Sequence, residues 1–124
     1  MMLNQLQQHG CGFQPLLKND RFQCAFITHD RQYSYGNIDV IKRHMTSDEV
    51  FVLLRGSASL VTADGEWKNR ETTHLQPGVV YCLKAGTWHH LAVSEDALLF
   101  VTENNDVSAQ NTETVYLEEE YADK

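Results

Sequence analysis

Short runs of apolar residues follow one another closely along the chain from Phe22 onward, and polar or glycine-containing segments separate them. Runs of this length predict β-strands, because strands are short and place successive side chains on opposite faces. The strands predicted in this way span residues 22–27, 34–44, 49–54, 57–62, 72–75, 79–83, 88–93, 98–102 and 115–117. Residues 1–8 have a weak tendency to form a helix. The pattern therefore predicts an all-β domain, built as a sandwich or a barrel.

Two turn signals, and one predicted strand that is apolar on both faces, refine this prediction. Asp64-Gly65 predicts a tight hairpin turn, and Pro77-Gly78 predicts a second turn. Residues 50–54 are apolar on both strand faces, so both faces need cover. One face can line a barrel, and the other needs a second sheet, the N-terminal segment or a partner chain. Because closed homo-oligomers are most often two-fold dimers, we expect a homodimer.

The length and the charge of the chain exclude some classes of protein. The 124 residues fit one domain, spanning residues 1–124, with one hydrophobic core. A formal charge of −7 argues against non-specific nucleic-acid binding, which depends on basic patches. Part of the acidity lies in Glu118, Glu119, Glu120 and Asp123, a run that predicts a solvated tail.

Neither a membrane segment nor a cysteine framework is predicted. The sequence has no apolar run of transmembrane length, and residues 1–10 are too polar for a signal peptide. We therefore expect a cytoplasmic protein that does not bind membranes. Cys11, Cys24 and Cys82 are odd in number and lack Cys-x-x-Cys spacing, which argues against disulfides and a structural zinc site.

Three candidate metal ligands stand out once the strands are placed. His44 ends one predicted strand, Glu49 begins the next, and His89 starts a later strand after Gly86. In a closed barrel, residues on different strands can converge on one interior point. Two imidazoles and one carboxylate suit a divalent metal ion such as iron, zinc, nickel or manganese. Spacing alone is a weak signal, because a His and a Glu five positions apart often occur by chance.

These residues lie in two segments that resemble the motifs of the cupin superfamily. The first cupin motif runs Gly, five residues, His-x-His, three or four residues, Glu, six residues, Gly. Its spacing is kept by Gly36, His44, Glu49 and Gly56, with Lys42 at the first His position. The second motif runs Gly, five residues, Pro-x-Gly, two residues, His, three residues, Asn. Its matches are Gly78, Gly86 and His89, whereas Lys84 and Val93 replace the Pro and the Asn.

The resemblance implies a double-stranded β-helix, the jelly-roll barrel of cupins. The core motifs span residues 36–93, flanked by an N-terminal segment, 1–21, and an acidic C-terminal tail, 107–124. Cupins typically hold one metal ion with three His and one Glu at the motif positions. Their functions range from dioxygenases and isomerases to storage and sensing, so the resemblance predicts the fold better than the reaction.

Lys42 is the main departure from the motif, and it leaves two alternatives. The site can bind metal through His44, Glu49 and His89, with further positions open to water or substrate. Lys42 is then a candidate for proton transfer or for anchoring an anionic substrate. Alternatively, Lys42 pairs with Glu49 and replaces the charge of the metal, as in a non-catalytic, metal-free binding or sensor module.

Strand alternation also predicts the pocket around these ligands. Four residues lie two or four positions from a candidate ligand on the same strand, so their side chains should also point inward. They are Lys42, Phe51, Leu53 and Leu91. A narrow, largely apolar pocket of this kind suits a small molecule. His90 is expected to face away from His89, as a wall or interface residue. The sequence therefore predicts a cupin that binds or acts on a small polar molecule of unknown identity.

Overall fold

The computed structural model of the protein describes residues 2–36 and 38–117. Within these residues the secondary structure is almost entirely strand, as predicted. The strands are β1 (Phe13–Lys18), β2 (Phe22–Ile27), β3 (Val40–His44), β4 (Glu49–Arg55), β5 (Ala58–Ala63), β6 (Glu71–His74), β7 (Val80–Leu83), β8 (Trp88–Val93), β9 (Leu98–Asn104) and β10 (Thr112–Tyr116). Short 3₁₀ turns lie at Arg31–Tyr33, Gly65–Trp67 and Ala109–Asn111. No helix in this part of the chain is long and apolar enough to cross a membrane.

The strands form two five-stranded antiparallel sheets. The first sheet has the order β1-β2-β9-β4-β7, and the second has the order β10-β3-β8-β5-β6. Phe51 and Leu99 of the first sheet pack in one core cluster with Leu60 and Leu91 of the second. The main core therefore lies between the two sheets, as in a double-stranded β-helix.

Alternation along β4 and β9 explains why the first sheet buries one face. Phe51 and Leu53 on β4 are almost fully buried, and so are Leu99 and Val101 on β9. Burying a side chain of this size stabilises the fold by about 1.5–3 kcal/mol. Val52, between the two buried residues of β4, is only half-buried on the opposite face. The described residues thus leave the outer face of this sheet partly open.

A smaller apolar cluster covers the outer face of the second sheet. It consists of Ile41, Ala63, Trp67 and Trp88. The Arg43 guanidinium lies over the Trp88 ring, 4.5 Å from its centroid. Trp88 and His89 are neighbours on β8, so His89 faces the inside of the barrel.

The segment before β3 differs from the prediction of a strand over residues 34–44. The strand begins only at Val40, and Arg31–Tyr33 form a 3₁₀ turn. The Asp30 side chain accepts a hydrogen bond from the Gln32 N–H and caps this turn. Gly36 has a φ of +85°, a left-handed conformation that interrupts an extended strand. Local side-chain and glycine chemistry therefore outweighs the alternating pattern here.

The tight hairpin predicted at Asp64-Gly65 is also wrong. Thr62 of β5 pairs with Glu71 of β6, and a longer loop joins them. That loop contains a 3₁₀ turn at Gly65–Trp67, which brings the Trp67 side chain into the outer apolar cluster. A two-residue turn could not bury this indole.

The two ends of the chain differ from the prediction as well. Residues 2–9 form no helix, and the unpredicted strand β1 follows them. β1 contains Pro15, which an edge strand tolerates because its missing N–H needs no partner there. β10 pairs along its whole length with β3, so residues 112–116 belong to the second sheet and not to a tail. The predicted acidic run at 118–123 lies outside the described residues.

Candidate metal centre

His44, Glu49 and His89 come together in the structure from three different strands. His44 Nε2 and His89 Nε2 each lie 3.5 Å from Glu49 Oε1. All three potential ligand atoms lie within 4.8 Å of one another. The imidazoles come from β3 and β8 of the second sheet and the carboxylate from β4 of the first. The site therefore lies between the two sheets.

Loop contacts between the two motifs hold this geometry. The Gly86 N–H donates to the His44 carbonyl at 2.7 Å, and the Ala85 N–H donates to the Asp48 carboxylate at 2.9 Å. The Ala85 N–H and the nearby Lys84 ammonium lower the pKa of Asp48 below its usual range. Gly86 has a φ of +82°, which favours glycine at this position. The turn that precedes His89 is thereby attached to the loop that joins His44 to Glu49.

The hydrogen bond of His89 Nδ1 leaves Nε2, the ring nitrogen that faces Glu49, as an acceptor. His89 Nδ1 lies 3.1 Å from the Thr87 carbonyl oxygen, which can only accept, so Nδ1 carries the proton. Burial lowers the pKa of His89, so the ring is neutral near pH 7. His89 Nε2 then presents a lone pair to Glu49 Oε1 at 3.5 Å. Two acceptors face each other with no proton between them.

His44 occupies a more acidic environment than His89. Its Nδ1 lies 2.9 Å from the Thr112 hydroxyl on β10. Burial by itself lowers the pKa of His44, but the carboxylates of Glu49 and Glu103 outweigh it, and the pKa is raised above its usual value. The two carboxylates therefore favour a positive charge next to His44 Nε2, whether a proton or a cation.

Glu103 belongs to the same cluster, although the sequence did not predict it as a site residue. Its Oε2 lies 3.9 Å from His44 Nε2. Burial, and after it the charge of Glu49, raises the pKa of Glu103 to about 7, while His44 acts in the opposite direction. The missed signal was alternation, because Glu103 is two positions beyond Val101 and four beyond Leu99. The predicted strand ended at Thr102, two residues before the observed end of β9 at Asn104.

Lys42 lies beside the cluster but forms no ion pair with Glu49. It is directly opposite His89 in the pairing of β3 with β8, and it lines the cavity next to the cluster. Its ammonium has no carboxylate within 4 Å among residues 2–36 and 38–117. The structure therefore does not contain the Lys42–Glu49 pair on which the metal-free alternative depended.

The cluster opens into a cavity of about 280 Å³. Of the predicted pocket residues, Lys42, Phe51 and Leu91 line this cavity. Leu53 does not, since it is only 1% exposed and lies in the main core. The remaining wall residues are Phe13, Ile27, Gln32, Tyr33, Val40, His44, Glu49, His89, His90 and Glu103.

Tyr33 also lines the cavity and carries a hydroxyl group. It lies on the 3₁₀ turn Arg31–Tyr33 and packs against the main core. Burial raises the pKa of Tyr33, and the charges of Glu49, Asp30 and Glu103 raise it further. Its hydroxyl therefore stays protonated near neutral pH and can donate a hydrogen bond.

The donor atoms fit a metal ion. Ligand atoms about 2.1 Å from a tetrahedrally bound ion lie about 3.4 Å from one another, close to the two observed separations of 3.5 Å. Glu49 Oε1 and Glu103 Oε2 are buried and have no hydrogen-bond partner among the described residues. Buried, unpaired carboxylate oxygens are costly unless a cation or a proton satisfies them.

Comparison with solved structures places the fold in a known class. A Streptomyces PAC13 variant with uridine matches with a TM-score of 0.67 and 11% identity, covering 98% of each chain. An RmlC-like cupin with a double-stranded β-helix fold from Methanocaldococcus jannaschii matches with a TM-score of 0.60 and 12% identity, covering 84% of this chain and 91% of the other. FeII HppE matches with a TM-score of 0.53 and 12% identity, covering 74% of this chain and 49% of the other. No family model and no curated protein matches the sequence. The protein has the cupin fold.

Proposed function

We propose that the protein binds one divalent metal ion through His44, Glu49 and His89, and that the ion helps to hold a small polar molecule in the adjoining cavity. The observation that carries this proposal is the pair of facing acceptors, His89 Nε2 and Glu49 Oε1, 3.5 Å apart. A protonated His89 would resolve the conflict, but burial lowers its pKa. A cation bound by both atoms resolves it without protonation.

The metal would complement the other groups of the cavity. When bound, a divalent ion supplies Lewis-acid polarisation of a ligand oxygen. Lys42 supplies a positive charge for an anionic group, and Tyr33 supplies a hydrogen-bond donor. The volume of about 280 Å³ accommodates only a small molecule. The structures of FeII HppE and of PAC13 with uridine support the view that this fold accommodates metals and small polar molecules.

Calorimetric titration of the apoprotein with Mn²⁺, Fe²⁺, Ni²⁺ and Zn²⁺ tests the metal part of this proposal. We expect one ion per chain, and we expect Glu49→Gln to abolish binding. His74→Gln is the matched control, because His74 is an exposed imidazole on β6 outside the cluster. Absence of binding by the wild-type protein to all four ions would refute the proposal. So would an equal loss of binding in His74→Gln.

Malonate tests the ligand part of the proposal, because one carboxylate can meet the metal and the other Lys42. We expect malonate to bind the metal-loaded protein more tightly than the apoprotein. Lys42→Met should weaken malonate binding to the metal-loaded protein without weakening metal binding. Equal malonate affinity with and without metal would contradict the proposed role of the ion.

We also propose that the outer face of the first sheet pairs with a second copy of the chain. Phe26, Phe100, Val52 and Val80 form one directly paired row across β2, β9, β4 and β7. The neighbouring row contains Cys24, Thr102, Val50 and Cys82, so neither row carries a charged side chain. Val80 is 66% exposed. A copy of the same face is a suitable partner, because stacking the two faces would bury no charge.

A further inference from the structure

Glu103 is a second buried carboxylate beside the three proposed ligands. It is directly opposite Glu49 in the antiparallel pairing of β9 with β4. Alternation with the buried Leu99 and Val101 turns its side chain toward the space between the sheets. The side chain is only 7% exposed, and its Oε2 lies 3.9 Å from His44 Nε2. Glu103 therefore faces the same space as the three proposed ligands.

The charges of the cluster do not balance when both carboxylates are ionised, unless a further cation is present. Glu49 Oε1 and Glu103 Oε2 are both buried and have no hydrogen-bond partner among the described residues. His44 lies near both carboxylates, but its Nε2 can carry only one proton. Lys42 forms no ion pair with either carboxylate. Two nearly buried carboxylates that share one imidazole match the charge of one divalent ion.

We infer that Glu103 is a fourth protein donor to the metal, so that the site is built from two His and two Glu. This inference rests on the proposed function. It also explains how the site tolerates Lys42, since the fourth donor comes from β9 of the other sheet instead of from β3. Two carboxylates shift the donor set toward oxygen, which favours manganese or iron over nickel. Lys42 then remains free to contact the bound small molecule.

Titration of the apoprotein with Mn²⁺, followed by electron paramagnetic resonance and by water-proton relaxation, tests the role of Glu103. In Glu103→Gln we expect one site per chain with at least roughly tenfold weaker affinity. We also expect faster water-proton relaxation per bound ion, because water takes the place of the lost carboxylate. Glu103→Asp retains the charge and should bind with intermediate affinity. Glu71→Gln is the control, because Glu71 is an exposed carboxylate on β6.

The outcomes separate this inference from the proposal on which it rests. If the wild-type protein binds Mn²⁺ and Glu103→Gln matches it in affinity and relaxation, Glu103 is not a donor, and only this inference fails. A lower affinity with unchanged relaxation would also overturn it, since a group outside the coordination sphere can weaken binding without adding a water. If the wild-type protein binds none of the tested ions, the proposed function itself fails.

Discussion

Glu49 on β4 and Glu103 on β9 lie directly opposite each other in antiparallel register, and both side chains are at least nine-tenths buried. Like charges in this relationship destabilise a sheet, and burial increases the cost. Across from them, on the second sheet, are the imidazoles of His44 and His89. A cation or a bound proton stabilises this arrangement.

The metal-free protein should become less stable as the pH rises through the titration of Glu103. The pKa of Glu103 is about 7 in the folded protein, against 4.5 for an ordinary Glu. The folded state therefore holds this proton more tightly than the unfolded state does. The stabilisation is fully present below pH 4.5 and is lost as the pH rises through about 7. The loss should be about 3 kcal/mol.

Urea unfolding in the presence of a chelator at pH 5 to 8 measures this effect. Glu103→Gln should show a smaller decrease in its free energy of unfolding over this range, because the amide does not titrate. If the free energies of unfolding of wild type and variant differ by the same amount at every pH, the carboxyl group of Glu103 does not cause the pH dependence.

Lys42→His should tighten metal binding. Position 42 lines the cavity and is directly opposite His89. The substitution removes a positive charge near the cation and adds a neutral donor. Both changes favour the metal, and the gain should grow as the pH rises and the imidazoles lose their protons. Competition with a chromogenic chelator measures the affinities side by side.

Lys42→Gln separates the two causes, since it removes the charge without adding an imidazole. We expect the affinity to increase in the order wild type, Lys42→Gln, Lys42→His. Equal or weaker binding by a folded Lys42→His variant would mean that residue 42 does not face the metal.

Gly56→Ala should destabilise the fold far more than Gly78→Ala or Gly65→Ala. Gly56 has a φ of +75°, and an added Cβ would lie 2.5 Å from the Ala97 Cα. Left-handed strain costs about 1–3 kcal/mol, and the collision with backbone adds to it. Gly78→Ala keeps only the strain, because its φ is +79° and its surroundings are open. Gly65→Ala has neither penalty. Thermal unfolding should show the largest loss of stability for Gly56→Ala, a smaller one for Gly78→Ala and the smallest for Gly65→Ala. Equal losses of stability in the three variants would contradict the collision with Ala97.

Val80→Glu should convert the proposed dimer to a monomer without unfolding it. Val80 is 66% exposed in the single chain, so a charge there costs the monomer little. In the dimer the charge would be buried in the apolar row. Sedimentation velocity at micromolar concentration should give the dimer mass for wild type and the monomer mass for the variant. Val115→Glu on β10 is the control and should remain dimeric. A monomeric wild-type protein would refute the proposed interface.

The sequence predicted those parts of the fold that depend on local patterns. The strands β2 and β8 have the predicted ends, because mainly apolar runs bounded by polar residues define them. Motif spacing predicted His44, Glu49 and His89, and the structure brings these residues together. These features depend on strand alternation and turn positions, which nearby residues determine.

The missed features depend on partners far apart in the chain. β1 was missed because Pro15 argues against a strand unless the strand is known to lie at an edge. The loop after β5 was predicted too short because only the packed structure shows that Trp67 needs burial. Glu103 was missed because the predicted strand ended at Thr102, and because its pairing with Glu49 follows from the register of β9 against β4.

Anomalous diffraction from crystals of the Mn²⁺-loaded protein, measured at the manganese absorption edge, tests the central claim most directly. The account predicts one strong peak per chain, within bonding distance of His44 Nε2, His89 Nε2 and a Glu49 carboxylate oxygen. A fully loaded crystal with no peak among these three side chains, or with its only peak on other residues, would contradict the account.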